Sequence, residues 1–457
     1  MNANLLDDLR AVSPQLSLLT EAADLEHYGR DWTRRWTPAP LAIALPATVE
    51  EIVAIVRWAR AHKVALVPSG GRTGLSGGAV AANGELVLSL EKMRAQLAYD
   101  PVDRLLTVQA GMALETLQGI AEGYGLQYPV DFAARGSASI GGNVATNAGG
   151  IQVLRHGNTR EWIAGLTVVD GRGDVLQLNR GLVKNSSGYD LRHLFVASEG
   201  TLGIIAEVTV RLADRDPPAS TVLFALPSFE AIMPVFAALR DRLHLQSFEF
   251  FDGRALKHVL DAGAVPPFAE AHPYYAIADI DADEAGLLAA FETCVGEGWV
   301  EDGVIAASDT QADALWRLRE GITESLAPHT PYKNDVVVRT SRMPAFLAEA
   351  QSLIGAAYPE FEVVWFGHIG DGNLHINILK PAALPQAEFV AACERATKLL
   401  SECLQRHDGS ISAEHGIGLV KKPYLSQTRS EAEIEAMRGI KTVFDPDGIM
   451  NPGKVFD

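Results

Sequence analysis

Gly136-Ser137-Ala138-Ser139-Ile140-Gly141-Gly142-Asn143-Val144-Ala145-Thr146-Asn147-Ala148-Gly149-Gly150 is the stretch whose reading decides the fold. Glycines in succession let backbone N–H groups converge on an anion and admit a ligand where a side chain would clash. A companion segment lies upstream, Pro68-Ser69-Gly70-Gly71-Arg72-Thr73-Gly74-Leu75-Ser76-Gly77-Gly78, directly after the apolar run Val64-Ala65-Leu66-Val67. Two flexible surface loops would share this composition, but a pair of them in one region weighs against that reading. Neither is a G-x-G-x-x-G between a strand and a helix, and none occurs elsewhere, so a Rossmann nucleotide site has no support.

Around these loops the chain reads as mixed α/β. Thr48 with Glu51 forms a capping box, and Val49 to His62 carries apolar residues at helical spacing. Strand-like runs follow at 86–90, 105–108, 166–169 and 204–212, with a helix over 113–123. Asp214-Arg215-Asp216-Pro217-Pro218 reads as a domain boundary. Beyond it, a strand over 221–226, a helix over 229–242 and a strand over 246–251 form a β-α-β unit. A strand over 274–280 and a helix over 284–297 echo it, which implies an α+β domain with a mostly antiparallel sheet. The tail from Glu431 holds one short helix and is too short to be a domain. The expected division is 1–214, 215–415 and a closing segment 416–457.

Composition narrows the partners. Hydrophobic residues at 47% and charged residues at 21% fit a globular enzyme. A formal charge of -18 repels phosphate backbones and anionic lipid, so nucleic-acid and membrane-surface binding are not expected, and an anionic substrate needs a local cluster of cations. No signal peptide or apolar run of transmembrane length is visible. Cys294, Cys393 and Cys403 form no CxxC pair, which fits a reducing compartment; the cytoplasm is expected.

The most informative chemistry lies in Trp365-Phe366-Gly367-His368-Ile369-Gly370-Asp371-Gly372-Asn373-Leu374-His375-Ile376-Asn377. On one straight strand, residues seven apart face opposite ways, so His368 and His375 converge only if the chain turns between them. Gly370-Asp371-Gly372-Asn373 supplies a turn. His375 and Asn377, two apart, share a face of the following strand. Downstream, Ser412-Ala413-Glu414-His415-Gly416 sets a carboxylate beside an imidazole. Two histidines and a glutamate match the protein ligands of catalytic zinc sites, although a lone histidine is more often a hydrogen-bonded core or turn residue. A calcium loop is excluded by spacing.

The glycine-rich segments resemble the FAD-binding fold of the vanillyl-alcohol oxidase family. So do Ser198-Glu199-Gly200-Thr201-Leu202-Gly203-Ile204 and the closing Asn451-Pro452-Gly453-Lys454. The four segments follow the family's order over nearly the whole chain. The resemblance implies FAD contacts from Pro68, Gly70, Gly71, Arg72, Thr73 and Gly74 in the first loop. From the second it implies Ser139, Gly141, Gly142, Thr146, Asn147 and Gly150, and further on Glu199, Gly203, Ile204 and Asn451. Relatives that bind flavin covalently carry a His in the first loop or a Cys in this domain; here Arg72 stands in the loop and the first cysteine is Cys294, so non-covalent FAD is expected.

The histidine segment and Ala413–Gly416 resemble the metal-dependent D-2-hydroxy-acid dehydrogenase branch of that family. This resemblance implies His368, His375 and Glu414 as ligands of a divalent metal and His415 as catalytic base. Zinc is the first choice by ligand type, with manganese, iron or cobalt also accommodated. It further implies Arg319, Thr323, Lys333 and Asn377 as substrate contacts, the first three chiefly to a distal carboxylate, with His415 also touching substrate. Arg319 and Thr323 stand at i, i+4 on a helix that the sequence places over 316–323; a solvated helix charge and a loop charge are the plain alternatives for Arg319 and Lys333. The expected substrate is D-2-hydroxyglutarate, with D-malate or D-lactate as related acids. A D-lactate or glycolate dehydrogenase is the alternative, and a non-catalytic flavoprotein subunit the alternative from another class. An electron-transfer flavoprotein or a quinone is the expected acceptor, and the oligomeric state, a homodimer included, stays open.

Overall fold

The computed structural model describes residues 2–457, with side chains from Leu5 onward, and divides the chain into two compact units. The first comprises 1–149, 157–215 and 414–457; the second comprises 150–156 and 216–413. The two long stretches therefore meet at 215/216 and at 413/414. The linear reading did not separate 150–156, which joins the second unit although its flanks belong to the first.

In the first unit, the helix Val49–His62 begins where the sequence places it. Thr48 accepts from the Glu51 backbone N–H at 3.2 Å, while the Glu51 carboxylate reaches back one residue further, to Ala47 N at 2.7 Å. Its buried face (Ile52, Ile55, Val56, Ala59) joins the main core. A four-stranded sheet runs in the order Ser17–Leu19, Ala42–Leu45, Leu86–Ser89, Leu66–Ser69, parallel except at its first pair. A five-stranded antiparallel sheet has the order Gln96–Asp100, Leu105–Gln109, Gly203–Arg211, Ile163–Asp170, Val175–Leu178. The tail returns to the first sheet: Leu66 N donates to Ile449 O at 2.7 Å, and Asn451 N to Leu66 O at 2.8 Å.

The second unit is built on seven strands: β1 (Ala219–Leu226), β2 (Leu245–Asp252), β3 (Tyr274–Asp281), β4 (Asp302–Ile305), β5 (Tyr332–Val337), β6 (Val363–Gly367) and β7 (Asn373–Ile378). They pair antiparallel throughout, in the order β4-β1-β3-β2-β6-β7-β5, as the α+β expectation required. Side chains alternate faces along each strand. One face carries Leu223, Ala225, Phe251, Tyr275, Ile277, Val364 and Phe366, packed against Leu315 and Leu318 of the helix Asp309–Glu320 and Ile322 of the next helix. The single helix expected over 316–323 is in fact two, because Gly321 ends the first and Ile322–Leu326 begins another.

Asp252 closes β2 and caps the following helix, Gly253–Asp261, accepting from Ala255 N at 2.8 Å and Trp365 N at 3.3 Å. Burial is the largest influence on its carboxyl and pushes the pKa up to about 7. The folded protein then holds a proton that the unfolded chain releases near the ordinary carboxylate value. Between roughly pH 4 and 7 the native state binds more protons, so stability falls as pH rises. Asn caps as well as Asp and does not titrate. Thermal unfolding of wild type and Asp252→Asn across this range should show Tm moving against wild type as pH rises, with a constant gap above about pH 7.

Candidate active site

In the first unit the two glycine-rich segments lie against each other. A Cβ on Gly70 would land on Ser139 Oγ, and one on Gly71 on Ser137 O, so glycine is required where the segments touch. Ser139 caps the short helix Ile140–Thr146, accepting from Gly142 N at 3.3 Å, and Thr146 Oγ1 donates to Gly142 O at 3.0 Å. Asn147 ends it in the left-handed conformation, its Oδ1 accepting from Arg160 N at 2.9 Å. Asn451 Nδ2 donates to Gly78 O at 2.9 Å and to Glu199 O at 2.7 Å, tying the tail to both the first loop and the Ser198–Ile204 turn.

Among the described residues, three polar atoms at this junction are buried without a hydrogen-bond partner: Ser69 Oγ, Asn143 Nδ2 and Asn451 Oδ1. Buried polar groups are ordinarily satisfied. Close-packed backbone plus unsatisfied donors and acceptors fits a polar cofactor. Ser69 and Asn143 were not singled out from the sequence; each sits beside residues that were, and only burial distinguishes them.

Several expected contacts are otherwise engaged. Arg72 donates to Gly70 O at 3.2 Å, and its guanidinium lies 4.4 Å from the Tyr28 ring centroid. The side chain of Ile204 is part of the hydrophobic core, and Gly203 begins a central strand. Glu199 accepts from Ile417 N at 2.6 Å and Gly418 N at 2.8 Å, and burial pushes its pKa up to about 7. Its carboxylate therefore anchors the irregular segment that carries Glu414 and His415, both half-buried. Gly150 falls in the second unit. Gly74, by contrast, has open space beside it.

In the second unit, β6 ends at Gly367 and β7 begins at Asn373. The turn between them closes through Asn373 N to His368 O at 3.2 Å, with Gly372 at φ +89 where a Cβ would run into Val338 O. It brings the His368 and His375 rings to 5.2 Å between centroids, edge to face. Two imidazoles so close offer a divalent cation a pair of ligands, a set that a carboxylate such as that of Glu414 would complete. A second group, Glu349, Cys403 and His407, is a helix-anchoring ion pair instead: Arg406 Nε is 2.8 Å from Glu349 Oε1 and His407 Nε2 is 2.7 Å from Oε2.

Cross-strand pairing sets Lys333 opposite Asn377, Asp335 opposite His375, and His375 opposite Phe366. All share the sheet face that holds Phe251, as does Glu249 two residues earlier. Asn377 is buried and Lys333 half-buried; burial alone lowers the Lys333 pKa, with no carboxylate among its causes. Asp371, in the turn, is pushed up to about 6, chiefly by burial, with His368 opposing. Arg319 is buried, its guanidinium 5.0 Å from the Phe366 ring centroid and its Nη2 2.7 Å from Glu249 Oε2. Thr323, on the next helix, is exposed. The structure thus gathers Lys333, Asn377, His375, His368 and Arg319 on or over one face and leaves Thr323 at the surface.

Residues 40–179 match the FAD binding domain model, and residues 216–455 match the model for FAD linked oxidases, C-terminal domain. The chain belongs to the FAD-linked oxidase family of the vanillyl-alcohol oxidase type. It is 67% identical over 453 residues to a D-2-hydroxyglutarate dehydrogenase of Xanthomonas citri pv. viticola, covering 98% of this chain and 96% of that one. It is 52% identical to a D-2-hydroxyglutarate dehydrogenase of Stutzerimonas stutzeri, covering 99% and 98%. Among solved structures, p-cresol methylhydroxylase with substrate bound superposes with a TM-score of 0.76 over 100% of this chain and 97% of that one; at 15% identity this speaks for the fold. As a member of the family the chain is an FAD-linked oxidoreductase, and its first unit is the flavin-binding one. No helix among the described residues is long and apolar enough to cross a membrane.

The contact between the two loops is open to test. Gly71→Ala should lower both Tm and the flavin absorbance retained after gel filtration, because its Cβ displaces Ser137. Gly119→Ala, in the helix Leu114–Gly123 with nothing within 4 Å, should leave flavin unchanged and raise stability by up to ~1 kcal/mol.

Proposed function

We propose that this enzyme oxidises D-2-hydroxyglutarate to its 2-keto acid, using non-covalently bound FAD and a divalent cation, zinc by ligand type, held by His368, His375 and Glu414. The observation that carries the substrate choice is Lys333: a half-buried ammonium in no salt bridge among the described residues, on the sheet face that also presents Asn377 and His375. A monocarboxylate such as D-lactate offers nothing for that charge to meet. Arg319 adds a buried Nε donor with no hydrogen-bond partner among the described residues. The two most similar relatives described above, both named for D-2-hydroxyglutarate, support this reading.

The chemistry divides among the chain's residues as follows. Bound flavin supplies the acceptor for the hydride leaving C2. A bound divalent cation supplies Lewis acidity toward the 2-hydroxyl and its neighbouring carboxylate. Lys333 and Arg319 hold the distal carboxylate, and buried Asn377 offers an amide to the substrate's polar end. The His415 imidazole takes the proton from the 2-hydroxyl oxygen. Glu199 keeps His415 in place by fixing the backbone at 417 and 418. D-malate, one carbon shorter, is the related acid expected to react more slowly. An electron-transfer flavoprotein or a quinone would reoxidise the flavin. Cys294, Cys393 and Cys403 are buried and form no disulfide among the described residues, which fits the cytoplasm.

Assays of the purified chain with a dye acceptor test the substrate. Wild type should turn over D-2-hydroxyglutarate with higher kcat/KM than D-malate, D-lactate or glycolate. Preference for D-lactate would replace the reading with a D-lactate dehydrogenase, and no turnover of any acid would favour a non-catalytic subunit. Lys333→Met should lower kcat/KM for D-2-hydroxyglutarate by roughly 10- to 150-fold, the loss of one charge-assisted bond of about 1.5–3 kcal/mol, with little change for D-lactate. Lys333 is the better probe than Arg319, whose removal would strand the buried Glu249 carboxylate.

The metal is tested separately. Exhaustive chelation should abolish turnover while the flavin spectrum persists, and added zinc, manganese or cobalt should restore it. Full activity in metal-free protein would refute this part of the proposal. His415→Ala should keep flavin and metal and lose about two to four orders of magnitude in kcat.

A further inference from the structure

Glu249 lies in Phe248-Glu249-Phe250-Phe251, an otherwise apolar stretch of the central strand β2, and only 1% of its surface is exposed. A carboxylate so buried requires partners. Its two oxygens go to different ones. Oε1 is 2.8 Å from His368 Nδ1, and Oε2 is 2.7 Å from Arg319 Nη2. Were its purpose only to neutralise Arg319, the two-pronged arrangement of guanidinium and carboxylate would serve best. Here the closest approach to the guanidinium is Nη2 to Oε2, and neither atom is aligned as a hydrogen bond. The directed bond is the one to histidine.

We propose that Glu249 is a positioning residue for the divalent cation, orienting His368 through Nδ1 while its second oxygen holds the Arg319 guanidinium beside the site. This rests on the metal reading given above. A carboxylate at Nδ1 keeps the ring proton there and leaves the lone pair on Nε2, the nitrogen a cation would use; it also raises the basicity of that nitrogen. The sheet register makes the contact rigid. Phe251 pairs with Phe366, so Glu249 and His368 extend the same two strands on the same face. His375 has a weaker counterpart, with Asp335 Oδ1 at 3.8 Å from its Nδ1, beyond hydrogen-bond range. His368 is held from behind by a hydrogen-bonded carboxylate. The same carboxylate stands between a guanidinium and the metal ligands, so the substrate-binding cation and the metal site share one support.

Cobalt(II) titration of chelator-stripped, FAD-loaded protein tests this without reference to turnover, reading affinity by chelator competition and geometry by the visible cobalt absorption. Three variants are needed: Glu249→Gln, Arg319→Met, and the double variant, which removes both buried charges together and so avoids an uncompensated one. Glu249→Gln should bind cobalt about 10- to 100-fold more weakly and with an altered spectrum. Arg319→Met leaves the Glu249 carboxylate on His368 and should bind cobalt at least as tightly as wild type wherever it folds, and the double variant should keep the weakening seen with Glu249→Gln. Flavin content and the Tm of the metal-free protein report folding, and where Glu249→Gln alone is unstable the double variant decides. Cobalt binding at wild-type affinity and spectrum in the double variant would overturn the role assigned to Glu249 and leave the metal reading intact. Failure of wild type itself to bind cobalt at the site would overturn both.

Discussion

Register across three neighbouring strands is the constraint on which the candidate site depends. Phe251 opposite Phe366, Phe366 opposite His375, and His375 opposite Asp335 place Glu249, His368, His375, Asp335, Lys333 and Asn377 on one face of the sheet. A slip of one residue in the strand Asn373–Ile378 would send His375 and Asn377 to the other face and bring Leu374 and Ile376 to this one. The apolar residues of the face guard against such a slip, because Val364, Phe366 and Phe251 are packed under the helices Gly253–Asp261 and Asp309–Glu320. Hydrophobic burial thus fixes the polar geometry. The chemistry-bearing side chains occupy the end of a face whose remainder is core.

Local signals in the sequence anticipated local structure well. Thr48, Glu51 and the spacing of Ile52, Ile55, Val56 and Ala59 located a helix to the residue, since capping and amphipathic periodicity are written in adjacent positions. The Gly370–Asn373 stretch announced a turn, and the turn brings two histidine rings together. Glu249 was not legible. Its meaning lies in His368, 119 positions away, and nothing in Phe248-Glu249-Phe250-Phe251 distinguishes a paired carboxylate from an outward-facing strand residue. The break at Gly321 was missed for a related reason: Arg319 and Thr323 satisfy helical spacing, but the chain closes one helix and starts another, so one residue is buried and the other exposed. The assignment of 150–156 to the second unit likewise depends on packing far from its neighbours in sequence.

Glu199 shows how one residue can act separately through its side chain and its backbone. Its place in Ser198–Ile204 marked it as a cofactor contact, yet both carboxylate oxygens accept backbone N–H groups from Ile417 and Gly418. What its backbone offers is different: Glu199 O takes the Asn451 amide, so the turn, the tail and the segment bearing Glu414 and His415 are bound into one assembly. The residues proposed for proton transfer and metal binding lie on irregular chain that would otherwise be free to move. Two hydrogen bonds to a buried carboxylate are the means by which a loop acquires the rigidity of a strand.

Charge completes the argument for a cation. Glu249, Asp335 and Asp371 set three carboxyl groups near the two histidines against two cationic side chains, Arg319 and Lys333, within a protein of formal charge -18. Such a cluster alone would repel a dianionic hydroxy acid. Burial eases this for Asp371, whose raised pKa favours its neutral form more than usual, and the Glu249 charge is offset by Arg319. A divalent ion at His368, His375 and Glu414 would supply the remaining positive charge next to the reacting end of the substrate, while Lys333 supplies it at the far end. On this account the metal is part of substrate recognition as well as of the chemistry, because an acidic protein can attract a dianion only where its own carboxylates are already engaged.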